Sequence, residues 1–352
     1  MLTKKQVKEI KEHLDRAQNP LFFFDNDGDG LCSFLLLQRY IKRGKGVPIK
    51  SFPELTVDYF RKVDELNADY LFILDKPEIS KEFFEKVEQI NIPLVWIDHH
   101  VIDRKIIPKF VNYYNPIFNK SKSNEPVTAL CYQITNKKND LWLAIIGCVS
   151  DSFMPDFYPD FKKTYPDLSV ESKDPLEIYY NSSIGKIANI LNSALKDRTG
   201  NVIKMLKFLM KAKTPYDVLE KNNKNYSMHE RFDQINKKYQ RLLEKAKKVI
   251  NDSDEILFFQ YGGDLSISSD LANGLRYLFP KKFIIVAYIR GIKVNISARG
   301  ENIRQIVLKA IKGLKEATAG GHKNAVGAKI KVEDLEKFKK RLFKLVKENR
   351  KI

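Results

Sequence analysis

Cysteine is scarce in this chain. The three residues of this type in 352, Cys32, Cys131 and Cys148, all sit in apolar company and form neither a CxxC pair nor an even framework. That excludes a disulfide-stapled scaffold and predicts a reducing, cytoplasmic setting. Long apolar runs are lacking as well. The longest, residues 141–149, is too short to span a bilayer, so no membrane association is expected. The first residues, MLTKKQVKEIKEHL, lack the uninterrupted apolar core of a signal peptide and read as an amphipathic helix. There is no internal repeat and no low-complexity segment. Acidic residues are in deficit, with Asp+Glu 44 against Lys+Arg 62 and a formal charge of +18. Such a surface favours a polyanionic partner, although Lys-, Ile- and Glu-rich surfaces also mark thermophile proteins.

The acids that remain are not evenly spread. Residues 21–33 read LFFFDNDGDGLCS, an apolar run followed by Asp25, Asp27 and Asp29 on alternate positions among Asn26, Gly28 and Gly30. The run reads as a fully buried strand, and from Leu31 onward the apolar spacing is helical. Three carboxylates at the exit of a buried strand repel one another and lose hydration, and a hard divalent cation offsets both costs. A solvated Asp-Gly turn is the plain alternative. An EF-hand loop is excluded. It needs an entering helix and a Glu at its twelfth position, and that position, counted from Asp25, is Leu36.

Alternation of strands and helices continues. Strands are predicted over 47–52, 70–74 and 93–97, and helices over 55–67 and 81–90. This implies a mostly parallel sheet in an α/β fold. Asp25, Asp75 and Asp98 each fall just past a strand's carboxyl end, so they should converge on one edge of the sheet. His99 and His100 follow Asp98 directly. Residues 101–124 read as loop, with a short apolar segment at 110–114. Buried helices are expected over 127–134 and 141–149, and the second ends at Ser150-Asp151, where Gly147 and Ser150 suggest close packing at a site. Residues 155–166, rich in Pro and aromatics, read as irregular. Helices follow over 176–250, the last of them one long charged helix over 228–249. His13 and His229 read as surface residues.

A second α/β unit opens with a strand at 256–261 and a helix at 271–279. A hairpin, 283–289 with 292–296, and helices at 303–311 and 332–349 complete it. Between those last two helices, Gly320-Gly321-His322 reads as a turn that lets the backbone approach a ligand and projects one imidazole.

Taken in order, these motifs resemble the DHH phosphoesterase superfamily with its DHH-associated C-terminal domain. They are Asp25-Asn26-Asp27-Gly28-Asp29-Gly30, Asp75 in FILDKP, Asp98-His99-His100, Asp151 in IIGCVSDSF, Ser297-Ala298-Arg299 and Gly320-Gly321-His322. Pyrophosphatase and oligoribonuclease members of the superfamily usually carry a His four residues before the equivalent of Asp27. Here that residue is Phe23, and Asp25 is present, as in RecJ-like single-strand exonucleases. The length resembles the shorter archaeal RecJ-like nucleases, a group that includes the Hef-associated nuclease.

The resemblance implies two lobes, a DHH domain over 1–165 and a smaller C-terminal α/β domain over 251–352, joined by a helical connector over 166–250. It implies two Mn²⁺ ions, with Mg²⁺ as substitute. One would be held by Asp29, Asp75, His99 and Asp151. The other would be held by Asp25, Asp27 and Asp75, with Asp75 as the bridge. Asp98 would orient His99, and His100 would donate to the scissile phosphate. Ser297, Arg299, Gly320, Gly321 and His322 would bind substrate. The implied activity is hydrolysis of single-stranded nucleic acid, DNA or RNA, to mononucleotides in repair or replication. Hydrolysis of short oligoribonucleotides or cyclic dinucleotides is the alternative within the enzyme class, and a non-catalytic replication or repair scaffold the alternative outside it. A repair or replication protein as partner and a homo-oligomer, dimer or trimer, stay open, as do strand polarity and DNA against RNA.

Overall fold

The apolar run ahead of the acidic motif forms strand β1 (Pro20–Asp25), and its four central side chains are all buried. Phe22 and Phe24 enter one core, while Leu21 and Phe23 enter another. A strand covered on both faces must be apolar at successive positions, as this one is. Each buried Phe contributes about 1.5–3 kcal/mol, which offsets the cost of holding charge at the strand's end. The structure, a computed structural model, describes residues 1–51, 53–250 and 253–349. Phe52, in the strand predicted over 47–52, and the His322 side chain lie outside the described residues.

Four more strands join β1. They are β2 (Lys45–Ile49), β3 (Tyr70–Leu74), β4 (Leu94–Ile97) and β5 (Val111–Tyr114), in the order β2-β1-β3-β4-β5, and every pairing is parallel. Helices α1 (Lys4–Arg16), α2 (Gly28–Ile41), α3 (Lys81–Ile90), α4 (Val127–Thr135) and α5 (Leu141–Ser150) follow the sequence periodicity closely. Asp27 caps α2, its Oδ1 accepting from Gly30 N at 3.0 Å. Gly30 is required for closeness, because a Cβ there would lie 2.3 Å from Asp25 O.

Several expectations are corrected. Residues 110–114 were expected within a loop but contain edge strand β5, in which only Tyr114 is buried. Residues 155–166 hold a helix, Tyr158–Thr164. Pro159 stands in its first turn, where a missing N–H costs nothing. The single helix expected over 55–67 is broken, because Leu55 and Phe60 do not share a helical face. Glu54–Leu55 pairs with Glu78–Ile79 instead, and a short helix covers Arg61–Glu65. His229 is buried, with its Nε2 2.9 Å from Val218 O. His13 is half-buried against the Tyr70 hydroxyl.

The chain divides into two compact units, Met1–Asp233 and Gln234–Ile352. Helices within residues 175–209 place Ile184, Leu191 and Leu206 in the first unit's core, in the region read from sequence as a connector. The division falls inside the long helix α6 (Tyr226–Lys247). In the second unit, strands β6 (Ile256–Gly262), β7 (Phe283–Arg290), β8 (Lys293–Arg299), β9 (Thr318–His322) and β10 (Ala325–Lys331) form a mixed sheet of order β9-β10-β8-β7-β6. Only the β6–β7 pairing is parallel. Helix α7 (Ser268–Leu278) shares one core with Leu242 and Ala246 of α6. Helices α8 (Ile303–Ile311) and α9 (Leu335–Asn349) share the other.

Candidate metal centre

β1, β3 and β4 are neighbours, and their registers set Phe24 opposite Leu74 and Leu74 opposite Ile97. An aspartate follows each. Asp25, Asp75 and Asp98 therefore stand side by side at the carboxyl edge, where open parallel sheets hold their ligands.

Asp75 has φ +58°, in the left-handed region, at a cost on the order of 1–3 kcal/mol for a residue with a side chain. Two bonds hold it there. Asp75 N donates to Ile97 O at 3.0 Å, and Trp96 Nε1 donates to Lys76 O at 2.9 Å. Its side chain is buried, and Oδ1 accepts no hydrogen bond among the described residues. That oxygen lies 3.3 Å from His99 Nε2, which is in turn 3.9 Å from Asp151 Oδ2.

Asp29 has a second duty that sequence reasoning missed. Its Oδ1 accepts from Thr128 N at 2.7 Å and its Oδ2 from Val127 N at 2.9 Å. The N-terminus of α4 follows Pro126, which offers no side-chain cap, and Asp29 supplies one from another helix. The Thr128 hydroxyl donates back to Asp29 O at 2.9 Å. Thr128 also lies against Gly147 of α5, where a Cβ would come within 2.1 Å of its Oγ1.

Asp98 is fully buried and is engaged by His100, not by the His99 of the sequence reading. Its Oδ1 meets His100 Nδ1 at 2.8 Å, and its Oδ2 accepts from His100 N at 3.1 Å. Burial by itself pushes the His100 imidazole down, but the charge and hydrogen bond of Asp98 outweigh it and hold the ring up at about 9. Burial and the surrounding Asp29, Asp27 and Asp25 carboxylates push Asp75 well above the usual carboxylate range. Loss of hydration and then Asp25 and Asp29 raise Asp27 to about 8, a rise tempered by water because that residue keeps an open side.

Donor atoms of Asp25, Asp27 and Asp75 lie within 4.8 Å of one another, as do those of Asp29, His99 and Asp151, and those of Asp75, His99 and His100. Crowded, dehydrated carboxylates with an adjoining imidazole are costly alone and fit a divalent cation. The residues present therefore suit metal. One cation is already built in: the Lys76 side chain is fully buried, and its Nζ lies 2.7 Å from Asp25 Oδ1 and 2.6 Å from Ser51 O. Sequence reasoning passed over it. The available signal was a lysine directly after the last acid of an apolar strand.

The second unit holds the remaining expected residues. Arg299 Nε donates to Asn273 Oδ1 at 2.6 Å, Nη2 to Ser269 Oγ at 2.9 Å and Nη1 to Ala298 O at 2.9 Å. Ser297 is buried and donates to Ser268 Oγ at 3.0 Å. The Gly-Gly-His turn is corrected to strand β9, whose Gly321 has φ +130°. Arg299 and His322 both pair with Ala325 of β10, so the two stand level on either side of it.

A parallel α/β sheet with a carboxylate–imidazole cluster at its carboxyl edge defines a class of divalent-metal sites. The family is narrower. Residues 21–149 match the DHH family, N-terminal domain, and residues 254–348 match the DHHA1 domain. With a DHH and a DHHA1 domain matched, the chain belongs to the DHH superfamily of phosphoesterases. It is similar in fold to RecJ in complex with Mn²⁺ from Thermus thermophilus, with TM-score 0.66, 15% identity and coverage of 96% of this chain and 53% of that one. This chain thus spans about half the length of that relative. An exonuclease RecJ bound to manganese matches with TM-score 0.66, 14% identity and coverage of 97% and 94%. CDC45 from Entamoeba histolytica matches with TM-score 0.53, 11% identity and coverage of 97% and 98%. No curated protein matches the chain in sequence.

Proposed function

We propose that this protein is a metal-dependent phosphodiesterase that removes mononucleotides from single-stranded nucleic acid. The observation that supports this best is the pair of donor groups sharing one sheet edge, Asp25 with Asp27 and Asp75, and Asp29 with His99 and Asp151. In this reading Asp75 serves both groups. Two Mn²⁺ or Mg²⁺ ions, when bound, would supply a hydroxide-like nucleophile and neutralise charge on the phosphoryl group.

The chain's own groups do the rest. His100, kept protonated at neutral pH by Asp98, holds an N–H toward the scissile phosphate and steadies its negative charge. Asp98 and the Asn115 side chain, which donates to His100 O at 2.8 Å, fix that ring's place. Arg299, braced by Asn273 and Ser269, offers its guanidinium to a phosphate oxygen, and His322 with the Gly320 and Gly321 amides adds donors. The buried Ser297 acts through Ser268, below the surface of the sheet. The positive surface draws the polyanion in.

The test is digestion of end-labelled DNA and RNA strands with Mn²⁺. Release of mononucleotides that stops in EDTA is expected. Cleavage confined to dinucleotides or cyclic dinucleotides would replace this substrate, and no cleavage of any phosphodiester would leave the scaffold reading.

A further inference from the structure

Lys76 is the feature that the proposed chemistry leaves unexplained. A lysine is among the residues least often fully buried, and burial of its ammonium is costly unless paired. Here the pairing is specific. The Nζ bonds Asp25 Oδ1 at 2.7 Å and Ser51 O at 2.6 Å. The backbone of the same residue is anchored, because Trp96 Nε1 donates to Lys76 O at 2.9 Å. The ammonium therefore has a fixed position beside an oxygen of Asp25. Asp25 belongs to the group with Asp27 and Asp75, whereas Asp29, His99 and Asp151 form the other.

We propose that Lys76 is a positioning residue that makes the two metal positions unequal. It takes one of Asp25's two oxygens, so that Asp25 turns the remaining one to a cation, and its fixed charge weakens binding at the Asp25–Asp27–Asp75 position. The position at Asp29, His99 and Asp151 then fills first, and the other is occupied only at higher free metal. Lys76 also serves the metal-free protein by neutralising part of the charge of a crowded carboxylate cluster.

This inference rests on the two-position reading above but is tested without turnover. Mn²⁺ is titrated into the metal-stripped full chain, bound ion is followed by loss of the free-ion EPR signal, and thermal melts are run in EDTA. The wild type should bind two ions with Kd values at least tenfold apart. Asp25→Asn should weaken the looser position and leave the tighter one within twofold. Lys76→Met should tighten the looser position at least tenfold and lower the Tm in EDTA, with the loss recovered in saturating Mn²⁺. Lys76→Arg, which keeps the charge, should restore wild-type binding.

Two equal positions in the wild type would overturn the proposal, whether or not Lys76→Met folds. So would an Asp25→Asn effect on the tighter position, or an unchanged Kd ratio in Lys76→Met. A purely structural lysine would move the melts but not that ratio. Unequal binding in a protein without phosphodiesterase activity would sink the proposed function and leave this proposal standing.

Discussion

Asp29 and Asp75 are both buried aspartates of one cluster, yet they answer to different demands. Asp29 satisfies two backbone amides at the start of α4, so Asp29→Ala should cost about 1–3 kcal/mol even in EDTA, because buried donors lose their acceptor. Asp75 carries an oxygen without a hydrogen bond among the described residues, and burial and then its carboxylate neighbours push its carboxyl up. Asp75→Asn should therefore leave the metal-free Tm unchanged or higher while lowering phosphodiesterase turnover at least a thousandfold. Denaturant melts in EDTA beside single-turnover assays separate the two.

Titration adds a second test at this scale. The folded His100 holds its proton to about 9, above the ordinary 6.5, so its stabilising effect is complete below 6.5 and is lost as pH rises toward 9. Asp27 is also raised, to about 8 from 3.8, so its ionisation opposes folding increasingly between those values. Both signs agree: the Tm of the metal-stripped protein should fall from pH 6.5 to 9, and Asp98→Asn should flatten the upper part of that fall. A Tm that rises over this interval would contradict both assignments.

At the level of elements, the sequence was legible where one demand dominated. Strands 70–74 and helices 81–90 and 303–311 have the predicted bounds, because each carries a clean apolar pattern. Strand β5 was illegible since an edge strand with one buried residue shows little alternation. The helix at Tyr158–Thr164 hid among prolines that stand at its start and flanks. The convergence of Asp25, Asp75 and Asp98 could be read from strand ends alone, but the partners of Asp98, Asp29 and Lys76 could not. They depend on rotamers and on elements far apart in the chain, such as α4 with α2. Close approach makes one further expectation: Gly30→Ala places a methyl against Asp25 O and should destabilise the fold by about 1–3 kcal/mol, read from denaturant midpoints.

For the whole molecule, charge sets the expected behaviour. With a net +18, binding to a single strand should weaken steeply with salt through counterion release. Fluorescence anisotropy across roughly 50–300 mM salt should give a log–log slope on the order of −4, for about six phosphates of a single strand contacted. A slope near zero would assign the charge to solubility alone. The double service of Asp29 also bears on how such a chain can change over time. A descendant that abandons catalysis has no freedom to discard Asp29, because the fold would lose the start of a buried helix. It gains by discarding Asp75, whose carboxylate burdens the metal-free protein. On the proposed two-ion reading, an aspartate matching Asp29 in a related sequence would therefore report the architecture alone, and the residue aligned with Asp75 would report whether the metal chemistry is kept.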